Sequence, residues 1–197
     1  MSENLFRVLA AIILISSSAI SIYYRRKANL DSGEKVSTKA EGGPMFLALR
    51  LTALTAFICM IAYLINPAWM TWSRVDYPEP VRWLAVGIGF LGVIFCYWIF
   101  STIGKGISTT VATRTQATLV KSGPYRWVRH PLYVVGLFMF GAIGVIAENW
   151  LITGLIIVAF LLLTVRTKDE EKHLIAKFGD EYREYMKTTG RYLPKLF

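Results

Sequence analysis

Residues 121 to 136 read KSGPYRWVRHPLYVVG, a basic and aromatic cluster at the mouth of an apolar segment. Lys121, Arg126 and Arg129, the imidazole of His130 and the phenols of Tyr125 and Tyr133 lead into a stretch with no charge until Glu148. Ser122-Gly123-Pro124-Tyr125 is a turn signal, and Pro131 suits the first turn of a helix, where its missing N–H costs nothing. His130 then falls near the N-cap, and the first N–H groups of the helix carry partial positive charge that suits an anionic group. Arg126 and Arg129 add to that field. On spacing alone two readings stand. Either the cluster receives an anionic ligand, or the arginines hold lipid phosphates and His130 only caps.

A second reactive stretch reads TVRTKDEEKHLIAKFGDEYREY. Arg166 and Glu170 stand at i, i+4 and share one helix face. Leu174, Phe178, Tyr182 and Tyr185 then recur at helical spacing, an amphipathic stripe able to roof a pocket or lie on a membrane. Gly179-Asp180 predicts a break into two helices with Asp180 as the cap. The alternative is an interfacial helix carrying a weak surface salt bridge.

Other chemistries lack their residues. The two histidines, His130 and His173, belong to no H-E-x-x-H or Cys/His cluster, so no metal site is expected. No G-x-S-x-G elbow and no phosphate loop occurs. Gly87, Gly89 and Gly92 spell G-x-G-x-x-G, but inside an apolar run with no acidic residue between Glu79 and Glu148, which is not a dinucleotide site. Cys59 and Cys96 read as small apolar packing residues.

These groups must be positioned by membrane helices. Hydrophobic residues make up 54% of the 197-residue chain and charged ones 18%, outside the usual soluble mix. Five apolar runs, 5–24, 45–65, 81–100, 132–147 and 150–165, predict an all-α integral membrane protein of five transmembrane helices with a cytoplasmic amphipathic helical segment at the C-terminus. Glu148 and Asn149 alone separate the last two, which predicts a tight helical hairpin, with Gly136, Gly141, Gly144 and Gly154 allowing close approach. Most of the 22 basic residues border one side of such a bundle. The positive-inside rule then places the N-terminus outside and the C-terminus in the cytoplasm. The +9 net charge is therefore topology, and no nucleic-acid partner is expected. Arg25-Arg26-Lys27 follows the first run instead of preceding it, so that run is expected to be an uncleaved anchor. Trp69, Trp72 and Tyr77 read as interfacial anchors. The whole chain reads as one domain: three spans in 1–100, then a half in 101–197 that carries the site.

LVKSGPYRWVRHPLYVVG, RTKDEE and FGDEYREYMKTTGRYLP, in this order around a helical hairpin, resemble the isoprenylcysteine carboxyl methyltransferase family and the related phospholipid methyltransferases. The resemblance covers about residues 100–197. It implies binding of S-adenosyl-L-methionine in a cytoplasmic pocket roofed by the C-terminal helices. By position it implies cofactor contacts at Leu119, Val120, Tyr125, Arg129, His130, Pro131, Leu132, Tyr133 and Glu170. It implies a catalytic role at the substrate's reacting group for Arg166. Two departures stand out: Ala117-Thr118 where many relatives carry a histidine, and GKGIS at 104–108 in place of Asn-Trp-Ser.

The residue types agree with methyl transfer from a sulfonium, which needs alignment and exclusion of water but no covalent intermediate. A carboxylate nucleophile could be oriented by Arg166 through a bidentate pair. An amine would need a base, and Glu170, Glu171 or His173 could serve. The expected acceptor is a lipophilic small molecule or lipidated acid drawn from the bilayer, in contact with membrane lipids. The alternatives are phospholipid or other small-molecule N- or S-methylation and, from another class, a non-catalytic transport or assembly subunit. Transport is disfavoured by spans whose interiors carry almost no ionisable residue.

Overall fold

The structure is a computed structural model and describes residues 3–32, 43–104 and 118–195. Within them the chain is almost entirely helical: α1 (Glu3–Ser32), α2 (Pro44–Ile65), α3 (Glu79–Ile103), α4 (Pro131–Ile146), α5 (Trp150–Phe178) and α6 (Asp180–Thr188). Two 3-10 turns, Pro67–Ser73 and Gly123–Arg126, sit between them. Helices are what a lipid solvent demands, because each backbone polar group must be satisfied within its own segment. Ile15, Leu54, Leu84, Ile94 and Leu161 are exposed. Such a belt of large apolar side chains would be a liability in water and faces hydrocarbon naturally.

Four of the five expected spans, α1, α2, α3 and α5, are long and apolar enough to cross a membrane, and α4 is shorter. At ~1.5 Å per residue α4 reaches about 24 Å, less than the ~30 Å of a bilayer's hydrocarbon. Its 16 residues pack between α3 and α5, closely enough that a Cβ on Gly92 of α3 would meet Met139 Cβ at 2.6 Å. One end of α4 is therefore sunk relative to its neighbours. α5 does the opposite. Its 29 residues carry the helix from the apolar run straight through Arg166 and Glu170 to Phe178.

Local signals set the boundaries. Pro131 occupies the first turn of α4 with His130 at the N-cap, and the imidazole makes no capping hydrogen bond. The hairpin turn falls at Glu148-Asn149, with Glu148 at φ 51 and Asn149 capping α5 by accepting the Ile152 N–H at 3.0 Å. Gly144 alone of the four expected packing glycines closes the hairpin: a Cβ there would lie 2.8 Å from Thr153 N, while Gly136, Gly141 and Gly154 face open space. The break before α6 is also where expected, but its cap is Gly179 at φ 58, not Asp180. Asp180 lies in the first turn and pairs with Arg183 at 2.6 Å. The left-handed backbone needed to reverse the chain is cheap only for glycine.

At the hairpin-turn end, the bundle is locked by charge. Glu148 meets Arg74 at 2.9 Å and Arg82 at 3.6 Å. Arg82 also reaches Glu3 at 2.9 Å, and Tyr63 donates to Glu3 at 2.7 Å. This ties α1, α2, α3 and the α4–α5 turn together at the end opposite Arg166.

Candidate active site

At the other end the chain folds back on itself. The segment leading into α4 runs beside the tail that follows α6: Arg129 N–H donates to Gly190 O at 2.8 Å, His130 N–H to Arg191 O at 3.1 Å, and Gly190 N–H to Trp127 O at 3.3 Å. Residues some sixty positions apart thus share a short parallel pairing, Val128 with Gly190. A side chain at Gly190 would drive into the Leu193 carbonyl, which is why the tail can turn so tightly there.

Glu171 is the hub of this closure. Its carboxylate is buried and accepts from Arg129 Nε at 3.0 Å and Arg191 Nε at 3.3 Å, with His130 Nε2 at 3.4 Å. Arg191 Nη2 also donates to it, and this bond holds the Arg191 guanidinium above its ordinary pKa. Arg129 further donates to the backbone carbonyls of Met186 and Thr189. Its charge therefore secures the tail against the mouth of α4. From α6, the buried Tyr185 hydroxyl donates to the Tyr125 carbonyl, and burial pushes the Tyr185 phenol up to about 12. Burial likewise drives the Tyr125 phenol well above its usual range. Tyr182 and Tyr185 are buried, while Leu174 and Phe178 of the same stripe are partly covered. The two tyrosines of the stripe pack inward over the segment leading into α4, while none of its four residues lines the cavity described below.

Glu170, next in sequence, points elsewhere. Adjacent helical residues are separated by about 100° around the axis, so Glu170 turns toward α4. It accepts from the Tyr133 hydroxyl at 2.6 Å, and His130 Nδ1 lies 4.0 Å away. The His130 and Tyr133 rings stack with centroids 5.4 Å apart, and the Tyr192 ring of the tail lies 6.0 Å from the His130 ring. Tyr192 is fixed in turn by donating to Thr167 at 2.7 Å. Loop, α4, α5 and tail thus converge on one imidazole and one carboxylate.

Below this cluster a cavity of about 490 Å³ runs into the bundle between α1, α2, α4 and α5. Its walls are apolar, with Ala56, Phe57, Met60, Leu137, Phe140 and Phe160 among them, and Arg25, Tyr133, Arg166 and Glu170 also line it. Gly136 faces it with room to spare.

Of the site residues expected from sequence, Leu132, Tyr133, Arg166 and Glu170 line this cavity. His130 and Arg129 are in the adjoining buried network, beside Pro131. Tyr125 is buried under α6 and joins through its backbone carbonyl. Leu119 and Val120 are half-buried in the strand of chain before the 3-10 turn. Arg126 lies over the Trp127 ring at 4.9 Å, apart from the cavity. His173 is exposed, its Nδ1 against the Asp169 carbonyl at 2.7 Å, and so faces away from the site. Of the two departures, Ala117 and residues 105–108 lie outside the described residues. Sequence reading missed two contributors, Arg25, counted as a topological charge, and Arg191; Glu171, named as a candidate base, is instead tied up with Arg129 and Arg191 in a pairing no local spacing signals. Among the described residues no group of three or more His, Cys, Asp or Glu is placed to hold a metal ion.

The chain is similar to several known proteins. Over 114 residues the chain is 32% identical to the cobalt-zinc-cadmium resistance protein CzcN of Cupriavidus metallidurans, covering 57% of this chain and 50% of that one. Over 138 residues it is 34% identical to protein-S-isoprenylcysteine O-methyltransferase of Homo sapiens, covering 63% of this chain and 46% of that one. The chain thus spans about half the length of the curated relatives it matches. Its fold resembles that of the eukaryotic intramembrane Ras methyltransferase ICMT, with a TM-score of 0.61 over 94% of this chain and 67% of that one, at 18% identity. Residues 85–176, which hold α4, the whole of Arg129 to Tyr133 and the Arg166–Glu170 turn, match the model of the isoprenylcysteine carboxyl methyltransferase (ICMT) family. That stretch, just under half of the chain, carries the likeness to the isoprenylcysteine carboxyl methyltransferase family, and the fold is of the same kind.

Proposed function

We propose that the protein is a membrane methyltransferase that moves a methyl group from S-adenosyl-L-methionine to the carboxylate of a lipophilic acceptor, at the cytoplasmic face of the bilayer. The observation that carries this reading is the cavity itself. An apolar hollow of about 490 Å³ opens inside a membrane bundle and is lined also by an arginine, a carboxylate and a phenol. A ligand matching it has a greasy body and a charged head.

S-adenosyl-L-methionine supplies, when bound, a methyl on a cationic sulfur that departs as a neutral thioether. The donor set fits such a group. Glu170, fixed by the Tyr133 hydroxyl, offers negative charge to a cationic or hydroxyl-bearing portion, and the α4 N-terminus at His130 and Pro131 offers partial positive charge to a carboxylate. Leu119, Val120, Tyr125, Leu132 and Tyr133 complete the expected contact set, with Arg129 holding the tail over it. Arg166 would orient the acceptor carboxylate, whose oxygen would take the methyl that the bound donor supplies. The α6 cover and the apolar walls keep water away while charge is neutralised.

The sunken α4 end supports lateral entry. A tail partitioning from the bilayer gains ~0.8 kcal/mol per buried CH₂, so the membrane itself concentrates the acceptor. The charge pattern along the chain supports a cytoplasmic site and an external N-terminus. The test is transfer of a radiolabelled methyl by nanodisc-reconstituted protein to N-acetyl-S-farnesylcysteine, to fatty acids and to phosphatidylethanolamine. Label in a base-labile ester of an acid is the expected result. Label confined to the amine lipid overturns the carboxylate assignment, and label in none of the three or in a total lipid extract overturns the enzyme.

A further inference from the structure

The family match begins at residue 85, so α1 and α2 lie outside it, yet both help to line the cavity. α1 contributes one charged residue there, Arg25. Its neighbours Arg26 and Lys27 are exposed, as expected of cations that snorkel at a helix end. Arg25 does not. Its Nε–H donates to Ser21 Oγ one turn back at 3.0 Å, and its guanidinium lies 5.7 Å from the Phe100 ring centre. Nη1 is buried and, among the described residues, meets no hydrogen-bond partner. Among the described residues Cys96 and Tyr133 are within its electrostatic reach.

Leaving a guanidinium nitrogen buried without an acceptor is costly, and an ionisable residue kept inside a membrane bundle marks a functional partner. Among the described residues the ionisable side chains lining the cavity, apart from the Tyr133 phenol, are Arg25, Arg166 and Glu170. Of these it is Arg25 Nη1 that an occupant would answer. Tyr133 stands within electrostatic range of both arginines, which places α1 and α5 on either side of the same polar end.

We infer that Arg25 determines acceptor specificity. Together with Arg166 it binds the anionic head of the acceptor, so the cavity selects an amphiphilic acid over an amine, alcohol or amide with the same tail. This rests on the cavity being the acceptor site, as proposed above. A role confined to α1 packing would not distinguish acid from amide.

The experiment is a scintillation-proximity assay with tritiated N-acetyl-S-farnesylcysteine on purified protein, competed by the unlabelled acid and by its primary carboxamide. Wild type is expected to prefer the acid by about tenfold or more, Arg25→Gln to lose most of that preference, and Arg25→Lys to keep most of it. S-adenosylhomocysteine affinity, expected unchanged, reports that each variant is folded. Equal binding of acid and amide by wild type overturns the inference, whether or not Arg25→Gln folds, and so does a folded Arg25→Gln that keeps the preference. Binding does not depend on turnover. An acid preference that falls with Arg25→Gln, in a protein that methylates nothing, sustains the inference and sinks the proposed enzyme. Normal methylation with an unchanged preference does the reverse.

Discussion

Replacing Glu171 by Gln probes how the site is closed. The substitution keeps the shape of the side chain and removes its charge. Arg129 and Glu171 are both buried, with side chains 7% and 4% exposed. Arg129 keeps its bonds to the Met186 and Thr189 carbonyls. Breaking one partner of a buried pair costs ~3–5 kcal/mol. Arg191, at 38% exposed, adds little because water screens it, and the retained carbonyl bonds lower the total. About 3 kcal/mol is therefore expected, and it should fall on the docking of 180–195 and not on the bundle, since the other partners of Glu171 lie in the tail and at the mouth of α4. At ~1.4 kcal/mol per decade, the open form of the tail rises by about a hundredfold. Hydrogen exchange by mass spectrometry on nanodisc-embedded protein should show faster exchange in 180–195, with α1 to α3 unchanged. S-adenosylhomocysteine affinity should fall in the same variant. Unchanged tail exchange would refute the reasoning, because the carboxylate would then not be what holds the cover down.

Three further perturbations separate the parts of the site. A Cβ at Gly136 meets nothing within 4 Å and the residue lines the cavity, so Gly136→Leu should take up cavity space and lower acceptor methylation by about tenfold or more while cofactor affinity and thermal stability hold; a matching loss of cofactor affinity would mean the cavity is not the acceptor's. Arg166→Ala should keep S-adenosylhomocysteine binding and lose about a hundredfold or more in kcat/KM; equal loss of both would move this arginine into the cofactor pocket. Glu148→Gln removes one of the two carboxylates that meet the buried Arg82 at the far end, leaving Glu3 and the Ile146 carbonyl, and should cost about 1–2 kcal/mol in unfolding free energy, read as a lowered midpoint in thermal unfolding, with cofactor affinity unaffected; a cofactor defect would show that the two ends are coupled.

What the sequence made legible were the features written locally. Pro131 marks the α4 start because its ring fits only a first turn, Glu148-Asn149 marks the hairpin because two polar residues interrupt a long apolar run, and Gly179 marks the α5–α6 break. Partner choice was not legible. Glu170 and Glu171 are the same residue type side by side, yet a rotation of about 100° sends one to Tyr133 and the other to Arg129 and Arg191. Arg25, Arg26 and Lys27 read as one charge cluster, and only the placement of α1 against α3 and α4 half-buries the first while the other two stay exposed. Asp180 looked like a cap because its side chain suits one, but the positive φ that the turn requires gave that role to the glycine before it. Gly136 looked like a packing residue and instead leaves room in the cavity.

The central claim is that Glu170, presented by α5 to the mouth of α4, holds a methyl donor under the tail. Isothermal titration of S-adenosylhomocysteine into solubilised protein tests it most directly. Saturable binding by wild type, weakened by about thirtyfold or more in a Glu170→Ala variant that keeps its thermal unfolding midpoint, is the predicted result. Wild type that is folded and binds no cofactor, or a Glu170→Ala variant that binds it as well as wild type, would contradict the account.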